Sequence, residues 1–228
     1  MTAISSDTRR NYTKVIASIV LCLLTVCTPL PVDVLNEGVS TEESLSDRYR
    51  KYHINIIKNE ILEKSTDLDD DESHEVASAI VEESMIAGYD PLFVIAIIEA
   101  ESNFVVEATS RSGARGLMQI MPSTFRAVSS AKRMFDPVEN VRAGIRYLGM
   151  LNGFKSINTV LLAYNQGPGG ARTSIRDGDM PKETKKYIPN VINNYKSALE
   201  RHNRDARLAH KSYRISPEQY ASILQTAN

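Results

Sequence analysis

Glu101 is the residue of this sequence best suited to acid–base chemistry, because of the segment that it ends. It follows the most apolar run of the chain, LFVIAIIEA at residues 92–100, which should form a buried helix. Burial disfavours an ionised carboxyl, and the negative end of the helix dipole acts in the same direction. A carboxyl that stays protonated near neutral pH is the acid that a glycosidic oxygen needs in order to leave. Taken alone, however, a Glu at a helix end is more often simply exposed.

Glu99 ends the same helix and competes with Glu101 for this role. Side chains two residues apart on an α-helix point roughly 200° away from each other, so only one of the two can face a given cleft. Glu107 and Asp136 are further carboxyls that could act as the general base of a hydrolase. Helical spacing alone leaves the choice among these acids open.

The elements that position Glu101 are predicted to be helices. Asp90 and Pro91 are typical N-cap and first-turn residues for the buried helix. Before it, residues 74–87 carry apolar side chains three and four positions apart and stop at Gly88. We find no pairs of strands with alternating polar and apolar residues, and no internal repeat. The sequence therefore predicts an all-α fold.

Further helices are predicted toward the C-terminus. Including the buried helix, the predicted ranges are 92 to about 102, a start at 122–124, 136 to about 154, 158–163 and 182–201. The Gly-rich stretch QGPGG, residues 166–170, should end the fourth of these helices. Pro189 should bend or split the last one, because proline removes a helical hydrogen bond and clashes with the preceding turn.

The net charge of -1 conceals an uneven distribution. Residues 36–107 carry 18 acidic against 5 basic side chains, whereas residues 108–228 carry 19 basic against 8 acidic ones. Two solvated faces of opposite sign would explain this, and a basic site for a polyanion is the functional alternative. With 228 residues, of which 42% are hydrophobic, the chain has the composition of a globular protein with one domain of roughly 100 to 150 residues.

Residues 1–35 have the layout of an export signal. Arg9, Arg10 and Lys14 precede an apolar run at residues 15–26. That run is about a dozen residues long, short of the roughly 20 needed to span a bilayer comfortably, so a cleaved signal peptide is favoured. An uncleaved membrane anchor is the alternative, because no clear pair of small residues marks a cleavage site. We therefore expect export to the periplasm or cell envelope.

Cys22 and Cys27 are the only cysteines, and both lie in or beside the apolar run. A disulfide, a Cys-based metal site and a thiol nucleophile are therefore not expected in the folded domain. Val26 precedes Cys27 and is a poor match to the small residue found before a lipid-modified cysteine. A lipoprotein is not expected either.

Residues 36–73 are polar and acidic, and we predict a linker with a short polar helix. Within it, Asp67, Asp69 and Asp71 alternate as calcium-loop ligands do. The loop Gly and the closing Glu are missing at the required offsets, so we interpret this stretch as a solvated acidic run and expect no metal site.

Four sequence blocks carry a resemblance to the soluble lytic transglycosylase family, which shares its fold with goose-type lysozymes. The blocks are ES at residues 101–102, SRSGARGLMQIMPST at 110–124, AYNQGPG at 163–169 and ETKKYI at 183–188. The resemblance covers residues 74–201, which we predict to be the catalytic domain. It implies an all-α, lysozyme-like fold, and the first block selects Glu101 over Glu99.

The resemblance also implies a reaction and a set of site residues. In this family the Glu of the ES pair protonates the bond between N-acetylmuramic acid and N-acetylglucosamine, then takes a proton from the C6 hydroxyl to give a 1,6-anhydro end. Residues that match the family's cleft or approach its carboxyl are Ser110, Gln119, Met121, Tyr164, Asn165, Glu183 and Tyr187. The implied partner is a glycan strand of peptidoglycan. We expect no cofactor, no metal, no nucleic acid and a monomer.

Several alternatives remain for these residues and for the protein. Tyr164 could be a buried ring with a satisfied hydroxyl, Met121 a core residue, and Glu183 with Tyr187 a helix-packing pair. After ES, family members often have Asn-Pro where this chain has Phe104 onward. A lysozyme-like hydrolase on the same fold, or a non-catalytic factor that binds peptidoglycan, would keep the same cleft.

Residues 202–228 form a basic tail with one short helix predicted from Ser216. The segment 196–214 holds six Lys and Arg against two acids. Attachment to the cell wall or to a partner is our hypothesis for this tail.

Overall fold

The described part of the chain is helical. A computed structural model describes residues 45–202, with side chains from residue 50 onward. The helices in this range are α1 Leu45–Lys64, α2 Asp70–Ala87, α3 Pro91–Glu101, α4 Pro122–Val128, α5 Pro137–Met150, α6 Ile157–Asp177 and α7 Lys182–Arg201. Extended pairing between residues 45 and 202 is limited to isolated bridges within residues 109–120. The predicted all-α class is confirmed.

Helix α3 is the centre of the core. Every side chain from Leu92 to Ile98 is fully buried, as the apolar run predicted. It packs most extensively against α7 and also contacts α1 and α2. Each large side chain buried in this way contributes about 2 kcal/mol of hydrophobic free energy. The last turn of α3 carries Glu101 from this core to its surface.

Caps fix both ends of α3. The Asp90 carboxylate accepts a hydrogen bond from the Leu92 backbone N–H at 2.9 Å, which confirms it as the N-cap. Its other oxygen accepts from the Tyr195 hydroxyl of α7 at 3.1 Å. At the opposite end, the Ser102 N–H donates to the Ile98 carbonyl at 3.0 Å. The direction of α3 is therefore set from α7 and from its own first turn.

The N-terminal boundary of the folded part differs from our prediction. Residues 36–73 were expected to be a linker with a short helix, but α1 takes up 20 of them and packs against α2 and α3. Ile57 and Ile61 are buried in the same core as α3. The polar composition of α1 hid this packing, because its buried Glu60 is neutralised by the guanidinium of Arg201 at 2.9 and 2.7 Å.

The acidic run before residue 74 begins α2. Asp69 accepts a hydrogen bond from the Glu72 backbone N–H at 2.9 Å, and the Glu72 side chain accepts from the Asp69 N–H at 3.1 Å. This capping box starts the helix four residues before the predicted position of 74. Gly88, with a φ of 77°, ends the helix as predicted.

Helix α6 is much longer than the predicted segment 158–163. It continues to Asp177, and only Gly167, with φ 76° and ψ 159°, departs from helical geometry within it. Pro168 follows in the first turn after the kink, where proline needs no N–H partner. The Gly-rich stretch therefore ends the first helical half at Gly167, as predicted, and the chain continues directly into a second helical half that was not predicted.

Two other helix predictions need smaller corrections. α5 ends at Met150 and not at about Phe154. α7 continues through Pro189 as one helix, so the predicted split does not occur. Ile188 and Val191 flank the proline and are buried, so packing holds this turn in place despite the missing hydrogen bond.

The remaining predictions on chain organisation lie outside the described residues. These are the export segment, residues 36–44 of the acidic segment, the two cysteines and the short helix from Ser216. Among residues 45–202, no helix is both long and apolar enough to cross a membrane.

Candidate active site

An open cavity of about 660 Å³ lies where α3 ends. Its walls come from the end of α3, the segment 110–124, α5, α6 and the start of α7. The predicted residues that line it are Glu101, Ser110, Gln119, Met121, Tyr164, Asn165 and Glu183. The structure thus brings together seven side chains that lie as far as 82 positions apart in the sequence, from Glu101 to Glu183.

The surroundings of the Glu101 carboxyl favour its neutral form. The pKa of Glu101 is raised from 4.5 to about 7, chiefly by burial; the Tyr187 hydroxyl lowers this pKa and the nearby Glu183 carboxylate raises it. At neutral pH about half of the molecules therefore carry a protonated Glu101. This is the state that the apolar helix predicted, and the main cause is the predicted one.

Two buried tyrosines surround this carboxyl. Tyr164 is 7% exposed and Tyr187 is 8% exposed. Burial raises the pKa of both tyrosines well above its ordinary value, and the Glu101 carboxylate raises it further, so both hydroxyls stay protonated. The Tyr164 hydroxyl donates to the Met118 carbonyl at 2.9 Å. Tyr164 therefore connects α6 to the loop before Pro122 through its hydroxyl.

Tyr187 lies behind the cavity and does not line it. Its hydroxyl is close enough to act on the Glu101 carboxyl, yet no group among residues 50–202 forms a hydrogen bond of standard length and angle with it. An unpaired buried hydroxyl is costly, so a small shift of either side chain would stabilise the pair. Tyr187 is thus poised as a donor to Glu101 when the carboxyl ionises.

Glu99 faces away from the cavity, as the helical geometry predicted. Its carboxylate accepts a hydrogen bond from the Lys64 ammonium of α1 at 2.8 Å. The competing acids named in the sequence also lie elsewhere. Asp136 caps α5 and pairs with Arg133 at 2.6 Å, and Glu107 lines a different groove.

Ser110 and Gln119 lie on a folded loop, residues 108–121. The Gln119 amide nitrogen donates to the carbonyls of Ala108 and Gly116, at 3.0 and 2.9 Å. Gln119 has a φ of 46°, an unusual value for a residue with a side chain, which these two bonds help to hold. The Ser110 hydroxyl oxygen accepts from the Ala114 N–H at 3.0 Å, which leaves its proton for an acceptor.

Asn140 of α5 anchors this loop from below, and the sequence analysis missed it. It is fully buried, accepts a hydrogen bond from the Met118 N–H at 2.8 Å, and donates to the carbonyls of Arg115 and Met134 at 3.0 and 2.8 Å. Gly116, with a φ of 77°, packs directly on the Asn140 amide, where a Cβ atom would collide. The sequence signal that could have revealed Asn140 is a polar residue on the apolar face of the amphipathic helix α5.

Thr184 of α7 fixes the two amides that follow Tyr164. Its hydroxyl donates to the Asn165 carbonyl oxygen at 2.7 Å and accepts from the Gln166 amide nitrogen at 3.0 Å. This bond to its carbonyl oxygen orients the Asn165 amide, and its NH₂ group is available to bind a ligand. Thr184 was also missed, although it lies within the ETKKYI block.

The structure decides between the alternatives for the other residues. Met121 is 40% exposed and lines the cavity, so it is not core filler. Glu183 lines the cavity and acts on Glu101, so it is more than a helix-packing residue. Tyr147 and Arg111 also line the cavity and were not predicted. Arg111 is its one cationic side chain within the described residues, and it forms no ion pair with them.

A larger groove of about 1100 Å³ lies away from Glu101. The groove is lined by charged side chains of both signs, among them Arg126, Lys132, Glu75 and Glu107. Its lining does not include Glu101, and we assign the chemistry to the smaller cavity. Within residues 45–202, no cluster of three or more His, Cys, Asp and Glu side chains could hold a metal ion.

Known proteins are similar to this chain in sequence and in fold. Residues 78–188 match the family model described as Transglycosylase SLT domain. A transglycosylase of Enterobacteria phage PRD1 is 32% identical over 106 residues, which make up 46% of this chain and 40% of the relative.

Two solved structures are similar as well. One is the lytic transglycosylase Slt of Pseudomonas aeruginosa, in an inactive mutant with Glu replaced by Gln. It is 26% identical with a TM-score of 0.50, and the match covers 55% of this chain and 24% of that one. The other, the 70 kDa soluble lytic transglycosylase of Escherichia coli, is 21% identical with a TM-score of 0.52, and the match covers 73% and 32% of the two chains. The second likeness concerns the fold alone.

The chain spans two fifths or less of the length of each of these relatives. The four sequence blocks, the helical fold and the family match nevertheless fall on the same residues. Residues 78–188 therefore match the Transglycosylase SLT domain family in sequence and in fold.

Proposed function

We propose that this protein is a peptidoglycan lytic transglycosylase, which cleaves the β-1,4 bond between N-acetylmuramic acid and N-acetylglucosamine and leaves 1,6-anhydro ends. The observation that carries the proposal is a Glu101 carboxyl with a pKa of about 7 on the wall of an open cavity. The Pseudomonas aeruginosa relative is inactive when one of its glutamates is replaced by glutamine, which supports dependence on a single carboxyl.

The first step uses Glu101 as the acid. Its proton moves to the glycosidic oxygen, the bond between that oxygen and C1 of the muramic residue breaks, and N-acetylglucosamine leaves. Positive charge develops at C1. The oxygen of the substrate's own 2-acetamido group stabilises this centre, which replaces the second carboxylate of most glycosidases. The free NH₂ group of Asn165 is suited to hold that acetamido group.

The second step uses the same group as the base. The Glu101 carboxylate takes the proton of the C6 hydroxyl, and O6 bonds to C1 to give the anhydro ring. No water is consumed, and the acid returns to its starting state. A pKa near the working pH suits one residue to both transfers. We infer a location in the cell envelope from this substrate.

Product analysis tests the reaction type. The purified protein is incubated with sacculi, and the released fragments are measured by mass spectrometry. Anhydro ends, lighter than reducing ends by one water, are the expected result. Reducing ends throughout would make the protein a lysozyme-like hydrolase. Binding to sacculi without any cleavage would support the non-catalytic alternative.

The pH dependence of the reaction should follow the protonation of Glu101. We expect kcat/KM to fall about tenfold per pH unit as the pH rises through about 7, because only the protonated acid starts the reaction. Glu183→Gln should move this alkaline limb to lower pH, since it removes a neighbouring negative charge that raises the Glu101 pKa. The measurement is a pH–rate profile of both proteins. A limb near the ordinary value of 4.5 would contradict the assignment of Glu101.

Arg111 should favour substrate that carries acidic peptide stems. Its guanidinium lines the cavity and has no acidic partner among the described residues. We expect Arg111→Ala to reduce cleavage of sacculi by about fivefold or less, as for other exposed ion pairs, and the effect should vanish in high salt. Rates on sacculi and on glycan strands freed of peptide provide the measurement. Arg126→Ala, in the larger groove, is the matched control. An equal loss on bare glycan would refute a contact to the stem.

A further inference from the structure

The turn that follows Glu101 is strained. Asn103 and Phe104 both have positive φ, at 50° and 63°, although neither is glycine. Each such residue costs about 1 kcal/mol or more relative to an ordinary conformation. The Asn103 N–H donates to the Glu99 carbonyl at 3.2 Å, and the Val105 N–H donates to the Ser102 carbonyl at 3.1 Å, which closes the turn around the two strained residues. Side chains from outside the turn also bond to its backbone.

These contacts come from the connection between α1 and α2. The Ser65 hydroxyl donates to the Phe104 carbonyl at 3.3 Å, and the Asp67 carboxylate accepts from the Val106 N–H at 3.0 Å. Phe104 itself is buried, with 1% exposure. Two side chains thus bond to the backbone at the second strained residue and two residues after it.

Lys64 adds a third contact, one turn before the strained pair. Its ammonium lies 2.8 Å from the Glu99 carboxylate and 5.9 Å from the centre of the Phe104 ring. A cation at the C-terminal end of α3 also interacts favourably with the helix dipole. The same ammonium lies 3.9 Å from Glu60, which Arg201 already neutralises.

We propose that Lys64, Ser65 and Asp67 form a clamp that positions Glu101 for proton transfer, and this inference rests on the proposed function. The clamp lies before residue 78, where the family match begins. It grips α3 at Glu99 and the turn at Phe104 and Val106, so the acid lies between two fixed points. None of the three clamp residues lines the cavity, so they act through Glu101 and not on substrate.

Loss of the clamp should move Glu101 and admit water to it. A displaced acid transfers its proton less efficiently, because a shift of about 1 Å can cost a hundredfold in rate. A better solvated carboxyl also loses part of the burial that raises its pKa. The two consequences can be measured separately, and global destabilisation alone does not change the pKa of Glu101 in the folded state.

The test compares the double variant Lys64→Met, Asp67→Ala with Lys58→Met. Lys58 lies on the same helix and forms an ion pair of similar length, 2.7 Å, with Asp70, but does not touch the turn. We expect the double variant to lose about ten- to a hundredfold in kcat with KM within about twofold, and its alkaline limb to move to lower pH. Lys64→Arg should keep most of the activity. Lys58→Met should match the parent in both respects.

A second measurement needs no enzymatic activity. The Glu101 carboxyl is titrated by ¹³C NMR in the parent and in the double variant, with Glu101→Gln to assign the signal. A lower midpoint in the double variant supports the clamp. Midpoint and kcat equal to those of the parent would overturn it, as would a loss of kcat that only follows the folded fraction. If the parent forms no anhydro product, the proposed function fails, while the titration still decides on the clamp.

Discussion

Glu101→Gln is expected to release no anhydro product above background, a loss of about a thousandfold or more, while the protein stays folded. Glutamine has nearly the same shape as glutamate but has no proton to give to the glycosidic oxygen. General acid catalysis contributes about 10²- to 10⁴-fold in enzymes, and here one group serves in both steps. The measurement is the yield of anhydro fragments from sacculi, with circular dichroism as the check on folding.

Glu99→Gln is the matched control for this substitution. It lies on the same turn of α3 and faces Lys64, outside the cavity. Gln can still accept the Lys64 hydrogen bond, so most of the activity should remain. Glu101→Ala should be as inactive as Glu101→Gln. An active Glu101→Gln protein would end the mechanism proposed for this cavity.

The same substitution should also change how stability depends on pH. The pKa of Glu101 is raised from 4.5 to about 7, so the folded state binds a proton that the unfolded state has lost between these values. The contribution of Glu101 to the stability of the parent is therefore full below pH 4.5 and declines as the pH rises to about 7, by about 3 kcal/mol for a shift of this size. Gln stays neutral, so this decline should be absent from Glu101→Gln.

Urea unfolding at acid and alkaline pH measures this effect. At pH 4 the gap in unfolding free energy between the two proteins reflects only the exchange of side chains. At pH 8 Glu101→Gln should gain relative to the parent. Equal gaps at both pH values would mean that the folded Glu101 carboxyl titrates as it does in the unfolded chain.

The helices with clear sequence signals were predictable because local chemistry sets them. The N-caps Asp90 and Asp136 each precede a proline, and both begin helices at the predicted residue. The burial of α3 was predictable because its sequence is apolar on nearly every side, whereas a surface helix is apolar on one face only. Seven of the residues that line the cavity lie in the sequence blocks and were predicted from them.

What could not be predicted depends on long-range contacts. Helix α1 has a polar composition, and it joins the core because Arg201, 141 positions away, neutralises its buried Glu60. The second helical half of α6, after Gly167, was not predicted either, and its Ala171 is fully buried. Local propensity contains no information about such partners. The Lys64 clamp was hidden for the same reason.

Asn140 shows how a residue outside every sequence block can control the site. Its single amide serves three backbone groups, the Met118 N–H and two carbonyls. Met118 in turn offers its carbonyl to the hydroxyl of Tyr164. The loop that carries Ser110 and Gln119 is therefore connected to α5 and α6 through one fully buried side chain.

Asn140→Ala should destabilise the protein by about 3–5 kcal/mol, because three buried backbone groups lose their partner at about 1–3 kcal/mol each and part of that cost is relieved by water. Asn140→Asp should not rescue it, since Asp keeps the bond from Met118 N–H but faces two carbonyls with a negative charge. Asn193→Ala, at an exposed position of α7, is the control and should stay within about 0.5 kcal/mol.

Urea unfolding and kcat/KM together show whether Asn140 acts on the site or only on stability. Under conditions where Asn140→Ala is still folded, we expect kcat/KM to fall at least about tenfold, because the loop loses its register against Glu101 and Tyr164. A variant within about 1 kcal/mol of the parent would mean that water replaces the amide. Lost stability with unchanged kcat/KM would mean that the 108–121 loop is held by its own hydrogen bonds, such as those of Gln119, and that α5 supports the fold without shaping the cavity.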